Sequence, residues 1–485
     1  MTITRFIAPA VAGALSLGLG ACDLAVPDLN NPGIDVLTVN PDRVSVTKAC
    51  TGLLIGNRGA MANEFGFVDE VGILGREAYN FDTADPRFVG ELVEGKLNPG
   101  SPFGGGFWAG PYANIRLGNL ALHALDLVPT AEIDDPTKSV MRGFIHTIMA
   151  DDLLQVIVLR DKNGAVIDTD RDPASGMLGP IVSKEMVYAE IAKLLDDGFL
   201  ELDAGPTAFP FLLSTGFAGF DTPKATTGQP TSFQMFNRAL KARVATYIAS
   251  DAPAAGKAAA YQVVLDALAD SFIDHGQDGG KPDFALGVYY TYSVKTGDTT
   301  NGLINPNIFA HPKLETDVQK KNATDPDDRF TKKIAKITDE NKQGTSGEDV
   351  DPLTSALSFA PLYPSPTTPV SLIRNEELLL LEAEALFFTG DTIGANTSLN
   401  LVRTKSGGLA TVSRATDTDT FIQQLLYERR YSLLFEGGHR WIDLRRLGQP
   451  IPLDRTTDIP NVRFPIPLPE CNARPGEPAC SGGTT

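Results

Sequence analysis

Long stretches of the chain carry apolar residues at the three- and four-residue intervals of an amphipathic helix. Residues 112–128 show this spacing and stop at Pro129, which cannot continue a helix. The same periodicity predicts further helices over residues 139–158, 183–202, 232–250, 256–273, 374–391, 393–407 and 421–435. Short breaks join several of them as helix–turn–helix pairs, with small residues at the crossings. This pattern is typical of tetratricopeptide-like units.

Four stretches between the helices have a different composition. They are rich in Gly, Pro, Thr, Asp and aromatic residues and cover residues 59–110, 205–230, 274–310 and 337–369. Loops of this length in an ordered protein usually carry function or mobility. The expected fold class is therefore mainly α, with tetratricopeptide-like helical hairpins, long loop-rich insertions and a few short strands.

Composition restricts the function. The 485 residues are 42% hydrophobic and 21% charged, which indicates a large globular body. Sixty acidic residues against 42 Lys and Arg give a net charge of −18. Such a chain repels polyanions, so we expect no nucleic-acid partner.

The N-terminus predicts export. Arg5 precedes an apolar run over residues 6–19 that is too short to span a bilayer. We expect a signal peptide over residues 1–21 and a single domain over residues 22–485. The motif Leu19-Gly20-Ala21-Cys22 matches the bacterial lipobox, which predicts acylation of Cys22 and membrane attachment through lipid alone. An ordinary cleaved signal remains the alternative, and Asp23 leaves open which membrane holds the protein.

The remaining cysteines predict no catalytic or metal-binding role. Cys471 and Cys480 lie close together in a Pro/Gly-rich tail, and export permits oxidation, so we expect a disulfide loop. Cys50 lies beside an apolar run and reads as a buried small hydrophobe.

No catalytic or metal-binding motif is found. G-x-S-x-G, H-E-x-x-H and C-x-x-C are absent from the sequence. Residues 168–179 begin like a calcium loop, but Pro173 replaces the turn glycine and Gly179 replaces the bidentate glutamate. A solvated acidic turn is favoured there, with calcium as the alternative. We therefore predict no catalytic residue, no metal and no cofactor.

An arginine cluster occupies residues 427–446. Arg429 falls inside an apolar helical stripe, where a charge without a partner costs several kcal/mol. Glu436 and Asp443 are the candidate partners for Arg429 and Arg440. We predict a structural ion network of these four residues, and a ligand site is the alternative.

The run "LLYERRYSLLFEGGHRWIDLRRLG" resembles the C-terminal signature of the RagB/SusD family of nutrient-binding lipoproteins, apart from the extra Gly438. "DPDDR", "PVSLIRNEELLLLEAEALFFTGD" and "FPIPLPE" are similar to family segments in the same order. The resemblance implies an outer-membrane lipoprotein, at the cell surface, over a SusC-like TonB-dependent transporter. Such a protein captures an oligosaccharide or a peptide and hands it over without bond-making chemistry.

A sugar site needs exposed aromatic rings flanked by polar donors. Two loops offer this mixture, and the candidate ligand contacts are Arg76, Tyr79, Asn80 and Phe81 in the first and Tyr289, Tyr290, Tyr292 and Asn301 in the second. The alternative is that the tyrosines belong to a short strand or the core. Two rival functions also stay open, a lipid-anchored glycan hydrolase and a helical-repeat scaffold that binds proteins.

Overall fold

The computed structural model describes residues 35–277 and 280–485. The predicted signal peptide and Cys22 lie outside the described residues. Sixteen α-helices and ten short strands lie within them. The helices are α1 Asp35–Thr38, α2 Arg43–Arg58, α3 Phe67–Leu74, α4 Arg87–Gly90, α5 Ala109–Leu127, α6 Asp135–Arg160, α7 Lys184–Asp203, α8 Phe233–Asp251, α9 Ala254–Ala269, α10 Lys313–Thr316, α11 Asp328–Lys333, α12 Asn375–Thr389, α13 Thr392–Lys405, α14 Thr418–Ser432, α15 His439–Arg446 and α16 Leu468–Ala473.

The strands are short and pair only in twos. They are β1 Ala78–Asn80, β2 Ala165–Val166, β3 Ile181–Val182, β4 Gly287–Tyr290, β5 Ile308–Ala310, β6 Ala335–Lys336, β7 Gly344–Thr345, β8 Thr354–Ser355, β9 Leu357–Ser358 and β10 Val370–Arg374. All five pairs are antiparallel: β1 with β5, β2 with β3, β4 with β10, β6 with β9 and β7 with β8.

The long helices form the body. Helices α5 to α9 pack in sequence order, each of the first four on the helix that follows it. Helix α12 packs on α9, α13 and α14. The predicted mainly α fold class is confirmed. Pro136 lies in the first turn of α6, where the missing N–H of proline costs no helical hydrogen bond. None of the described helices is both long and apolar enough to cross a membrane.

Buried ion pairs lock the C-terminal helices together. Arg429 Nε lies 2.6 Å from Asp443 Oδ2, with both side chains 1% exposed, so α14 is tied to α15 as predicted. Although burial opposes the charge, Asp443 raises the pKa of Arg429. Arg446 pairs with Asp443 at 2.8 Å and also with Glu384 of α12. Three helices thus share one charge network.

The other half of the predicted network is wrong. Glu436 does not pair with Arg429 or Arg440, because it pairs with Arg374 at 2.8 Å and with Lys333 at 2.9 Å. The helix α14 ends at Ser432, and Phe435 has a φ of 56°, so the chain turns away before Glu436. Among the residues described, no acid lies within ion-pair distance of Arg440. Burial and the nearby Arg430 lower the pKa of Arg440 to about 10.

The C-terminal tail is fastened to the body. The sulfur atoms of Cys471 and Cys480 lie 2.06 Å apart, which is the length of a disulfide bond. Val462 N donates to Thr484 O at 2.7 Å, and Asn163 Nδ2 donates to Phe464 O at 2.8 Å. Cys50 is fully buried, and burial raises the pKa of its thiol.

Candidate functional site

The two loops with candidate ligand contacts come together in the fold. Strand β1 of the first loop pairs with β5, which follows the second, and Tyr79 faces Phe309 across the ladder. In addition, Gly302 N donates to Ala62 O at 2.6 Å. Residues that are far apart in sequence therefore lie in one region of the fold.

The candidate side chains of the first loop do not face solvent. Arg76, Tyr79, Asn80 and Phe81 are between 1% and 8% exposed. Arg76 Nε lies 2.8 Å from Asp454, and Asn80 Nδ2 donates to Asp69 at 2.9 Å. The prediction that they contact a ligand is corrected, because β1 is buried and the polar groups of Arg76 and Asn80 pair within the protein.

The candidate residues of the second loop fall into two groups, Asn301 and the tyrosines. Asn301 is fully buried; its amide donates to Thr368 O at 2.8 Å, so it too is structural rather than a ligand contact. Tyr289 and Tyr290 lie in β4, as the strand alternative proposed. Tyr290 donates to Asp151 at 3.2 Å in the core, whereas Tyr289 is half-buried.

A more accessible polar patch lies beside the β1–β5 pair. We call it the amide surface, and it comprises Glu64, Phe65, Asp82, Ile304, Asn305 and Asn307. Phe65 is 41% exposed and packs on buried Phe88, with 5.0 Å between ring centroids. Ile304 is 42% exposed. The patch therefore combines two exposed apolar side chains with carboxylate and amide groups from the same two segments.

The carboxylate of Glu64 is central to the amide surface. Burial and the neighbouring Asp82 raise its pKa, while the amides of Asn305, Asn307 and Asn80 act in the opposite direction. Backbone contacts hold these amides in place: Asn305 Oδ1 accepts from Asn307 N at 2.8 Å, and Asn80 Oδ1 accepts from Asp82 N at 3.0 Å. A fixed set of donors and acceptors suits a ligand with many hydroxyl groups.

A cleft of about 460 Å³ lies between α2, β4 and the 205–230 insertion. We call it the tyrosine cleft, and it is lined by Arg58, Leu212, Tyr289, Tyr290, Tyr292 and Asp298, among others. Arg58 lies 2.6 Å from Asp298 and 5.6 Å from the Tyr292 ring centroid. Hydrogen bonds from Ser293, the Thr299 backbone and Arg58 lower the pKa of Asp298 to about 2. The cleft is large enough for a small ligand.

Comparisons with known proteins agree with this architecture. The model of the SusD family matches residues 365–461, which include β10 and α12 to α15. The resemblance to the SusD family is confirmed. No curated protein matches the sequence.

Solved structures extend the likeness over most of the SusD-like chain. A SusD-like carbohydrate-binding protein from Bacteroides fragilis has a TM-score of 0.63 at 16% identity, covering 90% of this chain and 98% of that one. A laminarin-binding SusD-like protein has a TM-score of 0.59 at 17% sequence identity, and the match covers 89% of this chain and 98% of that one. NanU from B. fragilis has a TM-score of 0.61 at 15% sequence identity, and the match covers 94% of this chain and 99% of that one. At these identities the likeness establishes the fold.

The residues of the amide surface were missed at the level of sequence. Glu64 and Phe65 lie in "ANEFGF", and Asn305 and Asn307 lie in "INPNIF". The available signal was the close mixture of aromatic, amide and carboxylate residues within loop-rich stretches. In the described part of this SusD-like chain, no three His, Cys, Asp or Glu side chains are arranged to hold a metal ion.

Proposed function

We propose that this SusD-like chain is a non-catalytic receptor that captures an oligosaccharide at the cell surface and passes it to a SusC-like TonB-dependent transporter. The SusD-like fold and the carbohydrate-binding and laminarin-binding proteins among its structural relatives support this class of ligand. A peptide is the second ligand class that the resemblance implies. Acylated Cys22 would attach the body to the outer membrane.

One observation carries the proposal. The exposed Phe65 follows Glu64 directly in the chain, and the amides of Asn305 and Asn307 lie around the Glu64 carboxylate. Sugar rings combine weakly apolar faces with hydroxyl groups, so a ring flanked by amide and carboxylate groups binds both parts. No water-excluding active-site geometry is needed for capture and release.

Glycan arrays followed by isothermal titration test the ligand class. We expect the mature chain to bind at least one oligosaccharide family, and Phe65→Ala to weaken that binding about five- to thirtyfold, because a stacked ring contributes on the order of 1–2 kcal/mol. Asn305→Ala is expected to act in the same direction. Leu200→Ala is the matched control, because Leu200 is an apolar residue 67% exposed on α7.

Two results would reject the assignment. Wild-type affinity in both the Phe65 and Asn305 variants would remove the amide surface as the site, and Tyr289→Ala and Arg58→Ala would then test the tyrosine cleft. Blank glycan arrays together with binding to peptide libraries would assign the peptide class instead.

Co-purification tests the transporter partner. Detergent extraction of the lipid-anchored protein from native membranes is expected to retain a TonB-dependent barrel in stoichiometric amount. Repeated isolation without any barrel protein would contradict the hand-off step while leaving glycan capture intact.

A further inference from the structure

A groove beside the first helices is larger than the tyrosine cleft. It has a volume of about 910 Å³ and lies between α1, α2 and α5. We call it the helix groove, and its lining includes Val36, Val39, Val44, Lys48, Arg116 and Leu117.

The floor of the helix groove is apolar and tightly built. A Cβ atom added at Gly52 of α2 would lie 3.3 Å from Leu117 Cδ2 of α5, so the two helices are already in close contact. Above this floor, Val39 is 66% exposed and Val44 is 55% exposed. Large apolar side chains exposed along one groove mark a surface that another segment covers.

Two cations edge the same groove. Lys48 lies on α2 and Arg116 lies on α5. Within residues 35–277 and 280–485, neither has a carboxylate within 4 Å. An occupant that combines apolar side chains with a carboxylate therefore matches the groove.

The segment that precedes α1 in the sequence has this composition. Residues 24–34 read "LAVPDLNNPGI", with Leu24, Val26 and Leu29 around Asp28. The segment leads directly into Asp35, which is both the first residue of α1 and part of the groove lining. Because it is covalently attached next to the groove, its effective concentration there is high.

We propose that the helix groove is the docking site of residues 24–34, with the apolar side chains on the α2–α5 floor and Asp28 paired with Lys48 or Arg116. Docking shortens the free connection between Cys22 and the body to a residue or two. A tether of that length holds the body close to its point of attachment and restricts its rotation. The groove thus orients the whole receptor.

Zero-length cross-linking of the full mature chain tests the contact. A carbodiimide converts a carboxylate into an O-acylisourea, and the neutral amine of a lysine in contact then attacks its carbonyl carbon, which forms the amide bond and releases the urea and a proton. We expect an amide link between Asp28 and Lys48 within one chain, and its loss in Asp28→Asn. A mixture of isotope-labelled and unlabelled chains separates the outcomes: links between labelled and unlabelled chains would show that a second copy fills the groove and would overturn the proposal.

Hydrogen exchange gives an independent readout that needs no reactive pair. The amides of residues 24–34 are expected to exchange about tenfold faster in the Lys48→Glu, Arg116→Glu double variant than in the wild type, because docking protects them. Adding Asp28→Lys to that variant is expected to restore the protection. Lys193→Glu on α7 is the matched control. Equal exchange in the wild type and the double variant would overturn the proposal.

Discussion

At the scale of single residues, the arginine cluster of residues 427–446 is part of the frame. Several of its charges meet carboxylates from other helices, such as Asp443 for Arg429 and Glu384 for Arg446. Although burial acts against it, Arg243 lowers the pKa of Glu377 to about 2 in the same region. The sequence predicts that Arg429 needs a partner because an unpaired charge cannot stay in an apolar stripe.

Removing one member of a buried pair leaves the other without compensation. We expect Arg429→Ala to lower the free energy of unfolding by about 3 kcal/mol, with Asp443 retaining only Arg446. The control is Arg171→Ala, whose pair with Asp168 is solvent-exposed and contributes less than about 1 kcal/mol. Urea midpoints of the two variants decide the matter. Similar shifts in both would contradict a structural role for the Arg429 pair.

Glu77 gives the protein a pH dependence at neutral pH. Its side chain is 1% exposed, and burial raises its pKa from 4.5 to about 7 despite the nearby Arg440. The folded state therefore holds the proton more tightly than the unfolded state. Its contribution to stability is fully present below pH 4.5 and is lost as the pH rises through 7.

Glu77→Gln removes this titration. We expect the variant to gain stability over the wild type as the pH rises from 4.5 to 8, by up to about 3 kcal/mol. Urea midpoints at pH 4.5, 6 and 8 measure the gain. Glu185→Gln is the control, because the pKa of that carboxyl is lowered and its titration has the opposite sign. A stability difference independent of pH would refute the assignment.

At the scale of elements, the helical hairpins were predictable and the small elements were not. Periodicity located α5 to α9, α13 and α14 because each has an exposed face, whereas α12 was predicted although most of its residues are buried. Helix α3 was not predicted. All its residues are buried, so its sequence lacks the helical alternation of polar and apolar positions. The β1–β5 pair was not predicted either, because its strands are three residues long and lie far apart in sequence.

Close helix crossings depend on glycine. At Gly143 of α6, an added Cβ atom would lie 2.7 Å from Gly198 O of α7, whereas at Gly256 of α9 it would meet nothing within 4 Å. We expect Gly143→Ala to destabilise the protein by about 1–3 kcal/mol through overpacking. Gly256→Ala is the control and is expected to stabilise by about 0.5–1 kcal/mol, because alanine favours the helix. Thermal unfolding compares them, and equal shifts would exclude a tight α6–α7 contact.

At the scale of the whole molecule, attachment and capture are separate properties. In the proposed function, attachment depends on the N-terminus and capture depends on loops that the helical body holds in place. The net charge of −18 affects neither directly, but it excludes polyanions as general partners.

Cys22→Ser separates the two properties. Without the thiol there is no acylation, so we expect the variant to lose incorporation of an alkyne fatty acid and to move from the membrane to the soluble fraction. Its glycan affinity is expected to match the wild type. Asp23→Asn keeps the cysteine and serves as the control. A variant that stays in the membrane fraction would show that something other than the lipid holds the protein.

The sequence by itself determined the helical hairpins, the need to pair Arg429 and the resemblance to the SusD family, because periodicity, charge burial and motif order are local properties of the chain. Tertiary structure alone decided which loop residues reach solvent. Tyr79 and Phe65 are both aromatic residues in loop-rich segments, yet β1 pairing buries the first and leaves the second exposed. Side-chain exposure depends on contacts between distant segments, and no local pattern encodes them.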